Sequence, residues 1–343
     1  MRACQSDAPA AQSSYHPPSP FPPSAELPLL DLVVLHEHPE WQKPLFAALD
    51  RRGVRYAPYD LKAGVFSSEE IPAAKVYFNQ ASPSAYLRGN TRAVPFALAL
   101  MRVLAIKGAR VLNGADVFAF ELSKSAQAAL LQQIGIPTPR TLTFNDVEAL
   151  RARASEIPWP ALLKPEQGGS GARIELLDSV DDVARILRER PETWVPDNLL
   201  CVQEYVASDP ERGIVRLEFL GGELLYAMRV VSHGRFNLCP ALVCNPEDGE
   251  EGGVCEIPSE APPVEFYPYP EVPDDAVRQA KRIIEAAKID VGGIEYLDGL
   301  DGRRMFYDVN ANSNLRPSIA QSFGFDPFER VVDYLEREIR RGS

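Results

Sequence analysis

From residue 29 onward the chain alternates in a way that leaves few architectures open. LLDLVVLH (29–36) is an unbroken apolar run, as expected of a strand covered on both faces. WQKPLFAALDRRG follows as a helix closed by Gly53. VRYAPYDL and KVYFNQ read as further strands, AVPFALALMRVLAIKG as a helix ending at Gly108, and ARVLNG as the next strand. Strands alternating with helices predict an α/β lobe over 29–120 with a mostly parallel sheet. Ligands collect at the carboxyl ends of such strands. Those ends are HEHPEW after the first strand and NQASPSAYLRGNTR after the third. The second stretch carries Asn79, Ser82, Ser84, Arg88 and Arg92, an amide, hydroxyls and guanidiniums suited to a carboxylated substrate. Arg88 is the candidate clamp, with Asn79 and Ser82 beside it; a surface arginine on a loop is the plain alternative. The first stretch offers His36, Glu37 and His38, but no HExxH, so it does not suggest a zinc hydrolase.

Residues 1–28 are rich in Pro, Ser and Ala with few large apolar groups and are expected to form a flexible arm. The 343 residues suggest two or three lobes. A net charge of −12 argues against a nucleic-acid or anionic-membrane partner. No apolar run is long enough to span a bilayer, and the first residues lack the apolar core of a signal peptide. The expectation is a cytoplasmic protein with its five cysteines mostly reduced.

A second region begins near 120. SKSAQAALLQQIGIP reads as a helix with Ser123 at its N-cap and Gly135 past its end. PALLKPEQGGSGARIELL then gives a strand, Lys164, a turn of Gly168, Gly169, Ser170 and Gly171, and another strand. Glycines let backbone N–H groups approach an anion, and a lysine adds a point charge. The lysine precedes the glycines and no GK[ST] follows, so this is not a Walker loop. By itself the segment also reads as a hairpin turn. LLCVQEYV is a buried strand, and IVRLEFLGGELLYAMRVV is a hairpin with Arg216 and Arg229 on its arms. After a helix over 275–289 come GGIEYL and FYDVNANSN. Read as a strand, the latter sets Asp308, Asn310 and Asn312 on one face and Tyr307, Val309 and Ala311 on the other. Asn and Asp are depleted in strands, so a row of them needs a reason.

These pieces, in this order, resemble the ATP-grasp superfamily, and within it the carboxylate–amine ligases of the ribosomal-protein-glutamylating and glutathione-synthetase kind. The resemblance runs from about Asn113 to the C-terminus. It implies an N-terminal Rossmann-like pre-ATP-grasp lobe, then an ATP-grasp fold over 121–343 whose two α+β subdomains clasp ATP, with about 135–206 as the small subdomain. It implies that Glu295, Asp308 and Asn310 hold two Mg²⁺ ions, with Mn²⁺ a possible substitute. Glu and Asp are exchanged relative to the family's usual order. Lys124 and Lys164 match its phosphate-binding lysines, the Gly-rich loop its mobile cover, and Glu204, Tyr205 and Val206 the hinge that receives adenine. The acidic residue that often meets the ribose is missing before Arg216, where Ile214 and Val215 stand; Asp209 or Glu211 is left to that role.

The implied reaction is ATP-dependent. A substrate carboxylate takes the γ-phosphate, and an amine displaces phosphate from the acylphosphate, joining two small molecules without a covalent enzyme nucleophile. Arg229 would neutralise the transferring group and Arg316 would hold the substrate carboxylate. A kinase or a non-catalytic nucleotide-binding protein of the same fold is the alternative reading, and a homo-oligomer is possible. Cys239, Cys244 and Cys255, with His233 upstream, offer a rival zinc site whose spacing matches no familiar pattern.

Overall fold

The computed structural model describes residues 29–69, 71, 73–169, 171, 173–234, 236, 264–313 and 315–342. The arm over 1–28, Ser170, and Cys239, Cys244 and Cys255 lie outside the described residues.

The first sheet joins β1 (Leu30–His36), β2 (Tyr56–Asp60), β3 (Ala74–Gln80) and β4 (Arg110–Leu112) in the order β2-β1-β3-β4, with every pairing parallel. Successive residues of β1 feed opposite cores. Leu32 and Val34 pack with Leu45 and Leu49 of α1 (Pro39–Arg52). Val33 and Leu35 pack with Leu100 and Met101 of α2 (Ala93–Ile106). Both faces of β1 are therefore dry, which is why its sequence reads as a continuous apolar run rather than an alternating one.

Two short helices, α3 (Ala115–Glu121) and α4 (Lys124–Gln133), lead out of this sheet. The Ser123 hydroxyl accepts the Ala126 N–H at 3.1 Å, the expected cap of α4. An antiparallel sheet follows in the order β5-β8-β6-β7, from β5 (Thr141–Phe144), β6 (Ala161–Pro165), β7 (Glu175–Leu177) and β8 (Leu200–Glu204). The helices α5 (Val147–Arg151) and α6 (Val180–Glu189) cover it through Leu150, Val183, Ile186 and Leu187.

The third sheet is antiparallel, in the order β11-β10-β9-β12-β13. Its strands are β9 (Ile214–Leu220), β10 (Glu223–Val231), β11 (Glu265–Pro268), β12 (Val291–Asp298) and β13 (Arg304–Asn310). One face packs on α7 (Asp274–Ala287) through Ala276, Ala280, Ile283 and Ile284. Two last helices, α8 (Pro317–Gln321) and α9 (Pro327–Arg341), return to the first sheet, where Val331 and Leu335 join the cluster of Leu32 and Leu45.

Asn113, fully buried, ties the first sheet to the third. Its Nδ2 donates to the carbonyls of Val291, at 2.7 Å, and Ala311, and its Oδ1 accepts from Asp290 and Val291. Its own carbonyl accepts from Asn79 Nδ2 at 3.2 Å. The residue has φ 49°, in the left-handed region that asparagine tolerates better than most residues. Asn79 is thus spent on structure and does not line the cleft described next.

Candidate functional site

Between the second and third sheets, and roofed by the carboxyl end of the first, lies a cleft of about 440 Å³. The β12–β13 pair forms its floor. Glu295 is opposite Asp308, Gly293 is opposite Asn310, and on the other side Glu295 is opposite Arg216. Paired residues of neighbouring strands share a face, so Glu295, Asp308, Asn310 and Arg216 all face the cleft.

The strand differs from the sequence expectation at two points. Tyr307 lines the cleft together with Asp308. The pairing shifts between Glu295 and Tyr296, so that Tyr296 is opposite Phe306 and Tyr307 is the extra residue. This bulge breaks the period-two alternation and lets the Tyr307 hydroxyl donate to Glu295 Oε2 at 3.1 Å. Asn312 lies past the end of β13. It lines the cleft, and its amide donates to the carbonyls of Gln80 and Ala81 at 3.0 Å, joining the floor to the first sheet.

The charges of the floor are matched. Burial works against the charge on Asp308, but the Lys124 ammonium donates to its carboxylate and holds it below the usual range. Burial and the charge of Asp308 push Glu295 up, against Arg216, which donates to it at 2.8 Å. Burial disfavours the Arg216 guanidinium, yet Glu218 and Glu295 more than offset that and keep it charged. Arg216 has room because its neighbour is glycine: a Cβ on Gly293 would lie 2.5 Å from Arg216 Nη2.

The second sheet supplies the opposite wall. Lys164, only 7% exposed, donates to Gln203 Oε1 at 2.7 Å, and burial lowers its pKa. Its ammonium lies 5.5 Å from the Tyr307 ring centre. Two residues on, Glu166 accepts the Ser123 hydroxyl at 2.6 Å and the Ser125 N–H at 3.1 Å. It thereby clamps the start of α4, so the strand bearing Lys164 also fixes the helix bearing Lys124. Gly168, Gly169 and Gly171 line the cleft beyond Lys164. Gly169 lies against the first sheet's loop, where a Cβ would be 2.8 Å from the Ser84 Cβ. The end of β8 brings Glu204, Tyr205 and Val206 to the rim. The Glu204 carboxylate is held by Arg303 at 2.9 Å and by the Arg140 N–H at 3.1 Å. Of the two acidic candidates for the ribose, Asp209 lines the cleft.

Arg316 also lines the cleft, with its guanidinium 3.3 Å from the Phe266 ring centre. Burial and the nearby Arg216 lower its pKa to about 10. Among the described residues no carboxylate pairs with it. Arg229 is not brought to this group. It is opposite Val215 in the hairpin register, one residue out of phase with Met228 and Val230, so it faces away from the cleft, stacks on Tyr269 at 4.2 Å and donates to the Arg212 carbonyl.

The first sheet's loops contribute less directly than expected. Ser82 and Ser84 line the cleft, 2.9 Å apart at their hydroxyls. Arg88 lies behind them. It is paired with the buried Glu37, donates to Ser84 Oγ at 3.2 Å and lies 4.5 Å over the Trp41 ring. Trp41 and Gln42 of α1 reach the cleft; His36 and His38 do not line it. His38 stacks on Trp41 at 4.4 Å, and burial lowers the pKa of His36. Sequence reasoning missed Glu121, Gln203, Glu218 and Tyr307, all at or against the cleft. Glu218 had a signal, since R-x-E on one strand puts two opposite charges on one face.

No family model matches the chain. Among curated proteins it is similar to the probable alpha-L-glutamate ligases of Haemophilus influenzae, at 22% identity over 231 residues, covering 67% of this chain and 68% of the relative. Among solved structures it superposes on a RimK-domain ATP-grasp protein from Sphaerobacter thermophilus with a TM-score of 0.63 at 19% identity, covering 89% and 98% of the two chains. The D-alanine–D-alanine ligase of Bacillus anthracis gives a TM-score of 0.62 at 12% identity, covering 92% and 98%. The ATP-grasp ligase PsnB bound to a minimal precursor gives 0.61 at 19%, covering 90% and 99%. The chain has the ATP-grasp fold.

Proposed function

We propose that this protein is an ATP-dependent ligase that joins a carboxylate to an amine through an acylphosphate. The observation that carries the reading is the meeting, in one cleft, of Lys124, Lys164 and the glycine loop with Glu295, Asp308 and Asn310. Two lysines and a glycine loop suit a polyphosphate, and two carboxylates with an amide suit the hard cation that accompanies it.

The residues fit Mg²⁺. Two carboxylates and an amide oxygen leave room for phosphate oxygens to complete the shell, which is how this ion is commonly shared with nucleotides. Burial, and then the charge of Asp308, raise the pKa of Glu295; a cation would relieve the second of these. When bound, Mg²⁺ would neutralise phosphate charge; two ions, and Mn²⁺ in their place, are compatible with the set.

The chain's own groups divide the remaining work. Lys164 and Lys124 would hold the β- and γ-phosphates, under the glycine loop. Glu204, Tyr205 and Val206 would receive the adenine. Arg316, free of any carboxylate partner among the described residues, would hold the acid. Arg216 would keep Glu295 ionised and aimed. The region over 29–120 would serve as the Rossmann-like first lobe, 121–343 as the ATP-grasp body and 135–206 as its small subdomain. Names of relatives suggest an amino acid such as glutamate, or a precursor peptide, among the substrates. No helix among the described residues is long and apolar enough to cross a membrane.

The test is acid-dependent ADP formation with Mg·ATP, trapped as a hydroxamate by hydroxylamine, across amino acids, dicarboxylates and peptides. A hydroxamate with one acid class, and an amide when an amine replaces hydroxylamine, is expected. A stable phosphorylated product with no hydroxamate would overturn the ligase reading in favour of a kinase.

A further inference from the structure

Glu121 ends α3, three residues before Lys124. It is 3% exposed and yet lines the cleft. Its Oε1 accepts the Asn312 N–H at 3.0 Å, and its Oε2 has no hydrogen-bond partner. Among the described residues no cation is within ion-pair distance of it. A buried acceptor left without a donor is costly and calls for an explanation. Burial pushes this carboxyl up to about 8; Lys124 pulls it down and Asp308 pushes it further up.

The position of the free oxygen narrows what it serves. Asn312, which fixes Oε1, also reaches the carbonyls of Gln80 and Ala81. The carboxyl therefore lies where the carboxyl end of the first sheet meets the floor that carries Asp308. Gln80, Ser82, Ser84 and Lys124 line the same cleft. A substrate carboxylate has only acceptor oxygens and brings no donor to the free oxygen. A divalent cation would find Oε1 already engaged by the Asn312 N–H. An amine brings the N–H donors that the free oxygen lacks.

We propose that Glu121 receives the amine of the acceptor substrate, its Oε2 accepting a hydrogen bond from the nitrogen that attacks the acyl group. This deepens, and rests on, the ligase reading above. It makes Glu121 a specificity residue for the second substrate, separate from the groups that handle phosphate.

The test uses Glu121→Gln, which keeps the size and the acceptor for Asn312 but turns the free oxygen into a donor, with Glu121→Ala beside it. With the acid found by the hydroxamate screen, the KM for the acid and the affinity for ATP should stay within about twofold of wild type. The KM for the amine should rise at least tenfold in both variants. An unchanged amine KM overturns the proposal. So does an equal rise in the KM for the acid, or a rise in the Mg²⁺ needed for half-maximal rate with the amine KM unchanged. If wild type yields no hydroxamate from any acid, the ligase reading fails by itself. Titration calorimetry with a panel of amino-acid amides then judges Glu121: tenfold weaker binding to Glu121→Gln supports the proposal, and equal or absent binding to wild type and variant overturns it.

Discussion

The ammonium of Lys124 donates to the carboxylate of Asp308, 184 residues further along the chain. A side chain assigned to phosphate and one assigned to metal thus hold each other in a site where only 13% and 19% of their surfaces meet solvent. Removing one partner leaves the other charge partly buried and unpaired. Asp308→Asn is expected to abolish turnover and also to lower stability by about 1–3 kcal/mol, the scale of a lost charge-assisted hydrogen bond. Asn310→Ala should abolish turnover at a smaller cost, because Asn310 gives up a single bond to Asp308. Steady-state assays at varied Mg²⁺ and urea unfolding read the two effects. Wild-type-like turnover in either variant would remove these residues from the metal set.

Lys164→Met should weaken ATP binding by about 1–3 kcal/mol. The wild-type pH profile carries a second expectation. Burial holds the Lys164 pKa below the usual lysine range, and a triphosphate favours its charged form. ATP affinity should therefore be full below that lowered pKa and fall as pH rises through it. Lys164→Met should flatten this fall. Calorimetry at several pH values checks both, and an unchanged affinity at neutral pH would exclude the phosphate role.

The two arginines of the β9–β10 hairpin should separate cleanly. Arg216→Ala strands Glu218 and Glu295, both buried, and should cost about 3–5 kcal/mol, the range for breaking a buried pair, together with activity. Arg229→Ala loses a ring contact and one carbonyl bond on the far face and should leave turnover within about twofold of wild type. A large kcat loss in Arg229→Ala with normal stability would mean that Arg229 reaches the cleft during turnover.

Gly169→Ala tests whether the glycine loop must lie against the first sheet's loop. The added Cβ would meet the Ser84 Cβ at 2.8 Å, so kcat/KM for ATP should drop. Ser84→Gly in the same chain removes the obstructing carbon and should restore part of the loss. Equal activity of Gly169→Ala and wild type would show that the contact is dispensable.

The elements were legible where local chemistry decides them. The continuous apolar run of β1, the Ser123 cap and the lysine before the glycines all announce themselves within a few residues. That Asp308 and Asn310 share a face was legible because they differ by two on a strand. Tyr307 was not, since a bulge depends on the partner strand and overrides the alternation. Arg229 was not, since hairpin register decides which of two arginines faces inward. Glu121 and Asn113 take their meaning from residues roughly two hundred positions away in the sequence. A carboxylate after the apolar run VFAF was the available hint, and it pointed to no partner.

Asn113 has a mechanical consequence. By bonding residues 290, 291 and 311 while accepting from Asn79, it welds the parallel sheet to the floor strands, and α9 bolts the same two parts together from behind through Val331 and Leu335. Chain from both sides of the middle segment therefore forms one anvil. The β5–β8 sheet, with Lys164 and the glycines, is the hammer. Any stroke that tightens the cleft must be made by that smaller piece, so an amide-exchange map should show slow, ligand-indifferent protection at Asn113 and Asp290 and ligand-sensitive protection around Gly168 and Gly169.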